Sequence, residues 1–138
     1  MALVLDTGPI VALLDASDPE HERCREMVAD IGEDLVIPAP VLVEVDYWIA
    51  KLFGLATWQI FVEDVARGAY RLHQPDERDL ARAAELECTY ESLDLGLVDA
   101  AVIVACERLR ETKVATLDRR DFGVVRPRHC ERLALLPA

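Results

Sequence analysis

The chain has 138 residues, of which 52% are hydrophobic and 30% charged, and its formal net charge is −11 at pH 7. This length favours one domain over residues 1–138 that buries about two thirds of its unfolded surface, and the hydrophobic fraction excludes a disordered chain. No apolar run reaches the ~18 residues that a membrane span needs, and no basic segment precedes the first apolar run, so we expect a cytoplasmic protein.

Charge is distributed unevenly along the chain. Residues 1–70 contain 13 acidic and four basic residues, whereas residues 108–132 contain eight basic and four acidic ones. The acidic total disfavours general nucleic-acid binding, but the basic stretch is compatible with a polyanionic substrate if metal ions neutralise the acids. A solvated charged surface explains the pattern equally well. The four cysteines lie far apart in sequence, which predicts reduced thiols rather than disulfides or zinc ligands.

The first predicted element is a short apolar strand that ends in an acid. Leu3, Val4 and Leu5 are followed by Asp6 and then by Thr-Gly-Pro, which is typical of a turn. A carboxylate buried at a strand end needs a proton, a cation or hydrogen-bond donors. Asp6 is therefore either a helix cap or part of a site, because ligands bind at the carboxyl ends of strands in open α/β sheets.

Strands and helices alternate along the rest of the chain. Apolar periodicity and the positions of proline and glycine predict helices over residues 8–15, 19–31, 39–53, 57–67, 77–88 and 97–111. Short apolar runs predict strands over residues 3–5, 35–37, 70–73 and 113–117, with one last strand at 124–125 or 133–136. The expected fold class is α/β, a single domain with a central, mostly parallel sheet of four to five short strands and helices on both faces.

The predicted helix 39–53 has one broad apolar face. Trp48 and Leu52 lie on that face, Glu44 lies at one of its borders, and Asp46 lies near the other. Spacing alone does not choose between Glu44 and Asp46 as a site residue. Core packing is the default explanation of the apolar face, and a binding surface for a partner is the alternative.

Acids also stand at the start of two later helices. Asp76 is the expected cap of helix 77–88, whose Leu80 is expected to face inward. In helix 97–111, Asp99 is the only charge among the first ten residues, which are otherwise apolar or small. A first-turn acid often only satisfies helix N–H groups and the helix dipole, so capping is the alternative to a role in a site.

Asp118 follows its predicted strand as Asp6 follows the first one. In a parallel sheet both carboxylates lie at the same edge, and Asp99 begins the helix that leads into the second of these strands. Like charges at short range raise one another's pKa or require a cation, and oxygen-only ligation suits Mg²⁺ or Mn²⁺. The chain has no nucleophile-elbow serine, Walker A motif or dinucleotide glycine motif. The pattern therefore predicts metal-assisted hydrolysis, with phosphoryl transfer as its usual setting.

Four segments of the chain, in their order, resemble the PIN-domain family, and most closely its VapC-type toxins of type II toxin–antitoxin pairs. The matching segments are residues 3–8 (LVLDTG), 40–44 (PVLVE), 97–101 (LVDAA) and 116–122 (TLDRRDF). Each is weak alone, but together they extend over nearly the whole chain. The resemblance is therefore specific.

The resemblance implies a set of catalytic, metal-binding carboxylates. These are Asp6, Glu44, Asp99 and Asp118, with Asp121 as an auxiliary ligand. Glu44 is favoured over Asp46 on this ground alone. Family members carry an acid at the position of Asp118 or of Asp121, and Asp118 is preferred because it lies directly at the strand end. The implied cofactor is Mg²⁺ or Mn²⁺.

The resemblance also implies an activity and partners. It implies an endoribonuclease toxin that hydrolyses structured cellular RNA (tRNA or ribosomal RNA), forms a homodimer and is neutralised by a cognate antitoxin. The antitoxin is expected to offer a basic residue to the acids and an apolar segment to the hairpin of residues 39–53 and 57–67. Thr7 and Thr116 either hydrogen-bond a carboxylate or a water molecule, or have only a structural role in the loop and the strand. The arginines expected to contact the RNA backbone are Arg119, Arg120, Arg126 and Arg128.

Two other functions are alternatives that the sequence leaves open. One is a catalytically silent PIN-like interaction module, against which the presence of all four acids counts. The other is an acidic, phosphorylatable receiver-type signalling domain. That class needs adjacent acids after the first strand, whereas Thr7 and Gly8 follow Asp6 here, and it needs a phosphoacceptor after a middle strand, whereas Pro38 follows residues 35–37.

Overall fold

A five-stranded parallel sheet forms the centre of the computed structural model, which describes residues 1–138. Its strands are β1 (Ala2–Leu5), β2 (Asp34–Pro38), β3 (Arg71–His73), β4 (Lys113–Ala115) and β5 (Ala134–Leu136). They lie in the order β3-β2-β1-β4-β5, and all neighbouring pairs are parallel. All of β1 is buried although successive side chains point to opposite faces, so helices cover both faces of the sheet centre. The predicted fold class is confirmed.

Every crossover between successive strands contains at least one helix, as parallel pairing requires. The helices are α1 (Thr7–Leu14), α2 (His21–Ile31), α3 (Val41–Leu52), α4 (Leu55–Ala66), α5 (Glu77–Thr89), α6 (Leu97–Leu109) and α7 (Arg119–Val124). None of them combines the length and the apolar character needed to cross a membrane. The four cysteines are free thiols.

The structure departs from the predicted elements mainly in its last third. Helix α7 was not predicted, and it forms because the Asp118 side chain caps it by accepting a hydrogen bond from the Asp121 N–H. Helix α6 ends two residues earlier than expected because Arg110 adopts a left-handed φ of 57°. Of the two positions considered for the last strand, the later one forms β5.

The apolar face of α3 is only partly core. Val41, Val45 and Ile49 are fully buried against the sheet, whereas Trp48 is 41% exposed and Leu52 is 48% exposed. Amphipathic periodicity therefore predicted the helix and its inward side, but it overstated how much of the apolar face the core covers.

Helix α5 begins with the predicted cap and turns a different face inward from the predicted one. Asp76 and Asp79 form a capping box, in which each carboxylate accepts a hydrogen bond from the other residue's N–H. The buried stripe continues through Ala83 and Leu86. Leu80 is 57% exposed, so its predicted inward orientation was wrong. It lies beside the buried stripe and leaves an apolar group at the surface.

A glycine joins α3 to α4 in a conformation that other residues avoid. Gly54 has φ 93° and ψ −177°, and a Cβ there would meet no atom within 4 Å. We expect Gly54→Ala to lower the free energy of unfolding by about 1–3 kcal/mol through backbone strain alone. Gly32→Ala should cost less, because φ 60° and ψ 23° lie in the region that Asp94 and Arg110 also adopt. Urea unfolding of both variants measures the difference, and equal losses would contradict this account.

Candidate active site

The carboxyl ends of β1 and β4 lie side by side and bring two of the predicted acids together. In the register of the two strands Leu5 pairs with Ala115, and the Asp6 N–H donates a hydrogen bond to the Ala115 carbonyl at 2.9 Å. Asp6 is only 7% exposed. The two strands that precede these acids are therefore neighbours. Asp6 directly follows β1, but Asp118 does not lie directly at a strand end as expected, because β4 ends at Ala115 and Asp118 caps α7.

A single threonine hydroxyl links these two strand ends. Thr116 is 1% exposed, and its Oγ1 donates to Oδ2 of Asp6 at 2.9 Å. The same Oγ1 accepts a hydrogen bond from the Asp118 N–H at 3.0 Å. The sequence left the role of Thr116 open, and the structure shows that its hydroxyl orients one carboxylate and the backbone of the next.

Glu44 reaches the same edge of the sheet from α3. Its Oε1 accepts a hydrogen bond from the hydroxyl of Thr7 at 2.6 Å, and Thr7 directly follows Asp6. Asp46 is exposed and makes no side-chain hydrogen bond or ion pair. The geometry therefore places Glu44, rather than Asp46, beside the acidic cluster. Thr7 has a defined hydrogen-bonding role as well.

Asp118 meets two further carboxylates where α6 and α7 begin. One oxygen from each of Asp99, Asp118 and Asp121 lies within 4.8 Å of the others. Asp118 caps α7, and Asp121 lies one turn later, so both acids of the last motif face Asp99. The Arg120 guanidinium contacts Asp121 at 3.2 Å, but 80% of the Arg120 side chain is exposed and this contact contributes little.

Burial and crowding raise the pKa values of two of these acids. For Asp6, burial raises the pKa most, and hydrogen bonds from the Thr7 backbone and from Thr116 oppose the rise. For Asp99, burial together with the charges of Asp6, Asp118, Glu44 and Asp121 raises the pKa to about 7. The cluster therefore holds more negative charge than its surroundings stabilise, and a proton or a bound cation would relieve the repulsion.

The raised pKa of Asp99 predicts how stability depends on pH without metal. The pKa of Asp99 rises from 3.8 to about 7 on folding, so the folded chain binds the additional proton between these values. Stability must then fall as pH rises through that window. In excess chelator, the midpoint of thermal unfolding should increase by several degrees from about pH 7.5 to about pH 5.5. Asp99→Asn should flatten the curve, and a midpoint that falls on acidification would contradict the prediction.

The donor set of the cluster fits a hard divalent cation. The side chains of the cluster that could ligate an ion through a charged group are all carboxylates, and no histidine or cysteine takes part. Carboxylate oxygens suit Mg²⁺ or Mn²⁺, whereas zinc and copper sites draw on nitrogen and sulfur. The residues present are therefore compatible with the cofactor that the sequence implied.

The arginines expected to contact RNA are spread over several places. Arg119 donates to the Pro137 carbonyl, and Arg120 lies at the cluster beside Asp121. The Arg126 guanidinium donates to carbonyls of its own segment, and Arg128 pairs with Glu85 on α5. Only the first two are in α7, next to the carboxylates.

Comparison with known proteins defines the family. The family model described as the PIN domain matches residues 3–126 of the chain. Ribonuclease VapC26 of Mycobacterium tuberculosis is 30% identical over 135 residues, which cover 98% of this chain and 100% of that protein. The chain therefore belongs to the PIN domain family, as its four motifs suggested.

Solved structures show the same fold. Mycobacterium tuberculosis VapC20, described as a Sarcin-Ricin loop cleaving toxin, matches with a TM-score of 0.80 at 16% identity, over 94% of this chain and 98% of that one. VapBC2 from Rickettsia felis, solved bound to a DNA fragment from its promoter, matches with a TM-score of 0.67 at 17% identity, over 98% of this chain and 97% of that one. At these identities the likeness concerns the fold.

Proposed function

We propose that the chain is a divalent-metal-dependent endoribonuclease toxin that hydrolyses phosphodiester bonds in structured cellular RNA, either tRNA or ribosomal RNA. The observation that carries the proposal is the meeting of five carboxylates at one edge of the sheet, where the pKa of Asp99 rises to about 7. Membership of the PIN family and 30% identity to Ribonuclease VapC26 support the choice of RNA as substrate.

The proposed metal ligands are the carboxylates at that edge. They are Asp6, Glu44, Asp99 and Asp118, with Asp121 as an auxiliary ligand. A bound Mg²⁺ or Mn²⁺ supplies an activated water and stabilises charge on the phosphate oxygens. Thr116 and Thr7 hold Asp6 and Glu44 in fixed orientations, so the ligands are positioned before an ion arrives.

Water is the proposed nucleophile. The two serines, Ser17 and Ser92, are exposed. Ser17 lies in a turn and donates to Asp15, Ser92 lies in the short 3-10 helix Glu91–Leu93, and neither hydrogen-bonds a carboxylate of the acidic cluster. The buried thiol of Cys106 has its pKa raised by burial, which disfavours a reactive thiolate. Direct hydrolysis is therefore the step that these residues support.

A cognate antitoxin is the proposed regulator, and the hairpin of α3 and α4 is its proposed binding surface. Phe53 and Leu55, at the turn of this hairpin, are 43% and 67% exposed, and Ile60 on α4 is 57% exposed. Apolar groups clustered in this way mark a surface that a partner covers. The structural neighbours include a toxin–antitoxin complex from Klebsiella pneumoniae, with a TM-score of 0.67 at 16% identity. A basic residue of such a partner would also neutralise the acids.

A homodimer is the second proposed assembly, formed through α5 and α6. Leu80 and Leu97 are 57% and 45% exposed at an apolar cleft of about 350 Å³, which Pro40, Ala101 and Val104 also line. Leu97, which shares the first turn of α6 with Asp99, is one of the residues that line this cleft. A symmetric partner would bury these leucines and place two acidic clusters near one another.

Cleavage of purified RNA tests the proposal. The purified chain should cut total tRNA or ribosomal RNA in Mg²⁺ or Mn²⁺, excess chelator should abolish cutting, and mapping of the new RNA ends should identify the bonds. Full activity in chelator, or intact RNA under all conditions, would overturn the proposal. Calorimetric titration with Mn²⁺ distinguishes the proposed nuclease from a catalytically silent PIN-like module, because such a module need not bind the ion.

A further inference from the structure

A charged groove lies at the far end of α6 from the acidic cluster. It has a volume of about 380 Å³, and Val104 is its one apolar lining residue. Five arginines line it: Arg78, Arg82, Arg108, Arg110 and Arg128. In a chain with a net charge of −11, this is a local concentration of positive charge that the proposed catalytic site does not use.

Three of the five arginines are held in place by acids. Arg82 donates to both carboxylate oxygens of Glu107 at 2.9 Å, and neither side chain is more than 16% exposed. Arg108 pairs with the two acids of the α5 capping box, at 3.1 Å in the case of Asp79. Arg128 pairs with Glu85 at 2.9 Å. The acids in and around the groove therefore already have cationic partners.

The other two arginines have no acidic partner. Neither Arg78 nor Arg110 forms a salt bridge or a side-chain hydrogen bond, and both are exposed. His129, which also lines the groove, donates through Nε2 to the Glu111 carbonyl and leaves Nδ1 buried without a partner. Free guanidinium groups in a polar groove fit an oxyanion such as phosphate, which they bind through paired N–H donors.

A chain segment connects the groove with the acidic cluster. The Arg126 N–H donates to the Tyr90 hydroxyl at the end of α5, and the Arg128 N–H donates to Glu107 near the end of α6. The chain that leaves the acidic cluster at α7 therefore reaches the groove through residues 126–128, which contact α5 and α6. Asp99 and Arg110 are separated by about 16 Å along the helix axis, at ~1.5 Å per residue.

We propose that this groove binds a phosphate group of the RNA backbone, several nucleotides away from the bond that is cut. The inference rests on the proposed ribonuclease function and adds to it a second contact with the substrate. An acidic protein repels a polyanion, and the phosphate contacts of nucleic-acid-binding proteins supply affinity and register rather than sequence recognition. The groove would hold the strand while the carboxylates act on a phosphate elsewhere along it.

The test is the salt dependence of RNA binding. Arg78→Gln and Arg110→Gln are combined in the Asp99→Asn background, and binding of a fluorescein-labelled RNA hairpin is followed by anisotropy at several salt concentrations. The Kd at low salt should rise by about tenfold, and the slope of log K against log salt should fall by about 0.7, the value for one lost phosphate contact. With Asp99 intact, the double variant should raise KM for cleavage and leave kcat unchanged.

The matched control removes two other arginines. Arg25→Gln with Arg67→Gln deletes the same charge from exposed positions on α2 and after α4, where each arginine pairs only with an acid of its own helix. This control should leave the slope and KM unchanged. If the groove variant behaves like the control while the parent chain cuts RNA, the groove proposal is overturned and the ribonuclease function stands. If no form cuts RNA but the groove variant alone binds RNA more weakly, the proposed ribonuclease function is overturned and the phosphate-binding role of the groove stands. Absence of RNA binding by every form overturns both.

Discussion

Replacing Asp99 with asparagine is expected to lower the rate of RNA cleavage on the order of 10³-fold while the fold is retained. Asp99 has one carboxylate oxygen within 4.8 Å of Asp118 and Asp121, and it also feels the charges of Asp6 and Glu44. The amide keeps the size of the side chain but removes the charge that attracts a cation. Cleavage by the purified variant in Mg²⁺, with binding of Mn²⁺ by calorimetry, measures the loss.

The same substitution should raise the thermal stability of the chain, although it lowers the rate of cleavage. Removing one negative charge from a crowded cluster relieves repulsion, so Asp99→Asn should unfold at a higher temperature than the parent chain in chelator at neutral pH. Asp46→Asn is the matched control, because Asp46 lies on α3 outside the cluster and is exposed. It should leave both cleavage and stability unchanged. A folded Asp99→Asn protein that cuts RNA at the parent rate would falsify the assignment.

Replacing Thr116 with valine is expected to reduce metal affinity or activity by about 10–100-fold. Valine has nearly the same shape as threonine but lacks the hydroxyl, so Asp6 loses a hydrogen-bond donor and the Asp118 N–H loses an acceptor. Both groups are oriented by this one oxygen. The expected signature is weaker Mn²⁺ binding together with slower cleavage, in a protein whose circular dichroism spectrum is unchanged.

Two controls separate orientation from packing at this position. Thr116→Ser restores the hydroxyl with a smaller side chain and should recover most of the Mn²⁺ affinity. Thr112→Val makes the same chemical change at an exposed position just before β4 and should have no effect. If serine and valine at position 116 weaken metal binding equally, the role of Thr116 is packing and the positioning argument is wrong.

The placement of Asp6 and Asp118 was predictable because it depends on topology. Each acid follows a short apolar strand, and parallel strands bring their carboxyl ends to one edge whatever the details of packing. Asp99 was predictable for a related reason, since it is the only charge in the buried half of α6. These positions follow from strand direction and from the high cost of burying a charge without a role.

The choice between Glu44 and Asp46 was not predictable from spacing. Both lie at borders of the apolar face of α3, and which border meets the acidic cluster depends on how α3 packs beside α1. The Thr7–Glu44 hydrogen bond depends on that packing, because it joins residues 37 positions apart in the chain. The hydroxyl of Thr116 posed the same difficulty, because its partner Asp6 is 110 positions away. Family resemblance predicted Glu44, whereas the sequence offered carboxylate hydrogen bonds of Thr7 and Thr116 only as one of two alternatives.

Exposed apolar residues account for the largest errors in predicted burial. Trp48, Leu52 and Leu80 fit the helical repeat of a core face, yet each is more than 40% exposed. Periodicity reports that one side of a helix avoids water, and it does not distinguish the core of the chain from a surface that a second chain covers. The sequence therefore predicts which helix faces are apolar, but it does not predict whether this chain or a second chain covers them.

The pairing of β4 with β5 couples the edge strand of the sheet to the acidic cluster. The Thr116 N–H donates to the Leu136 carbonyl at 2.9 Å, so the last strand holds the residue that orients Asp6 and Asp118. A chain in which β5 is unpaired lacks this support, so Thr116 and the two carboxylates that it orients are held less firmly. We therefore expect the position of β5 to influence the geometry of the acidic cluster, although this strand contributes no carboxylate of its own.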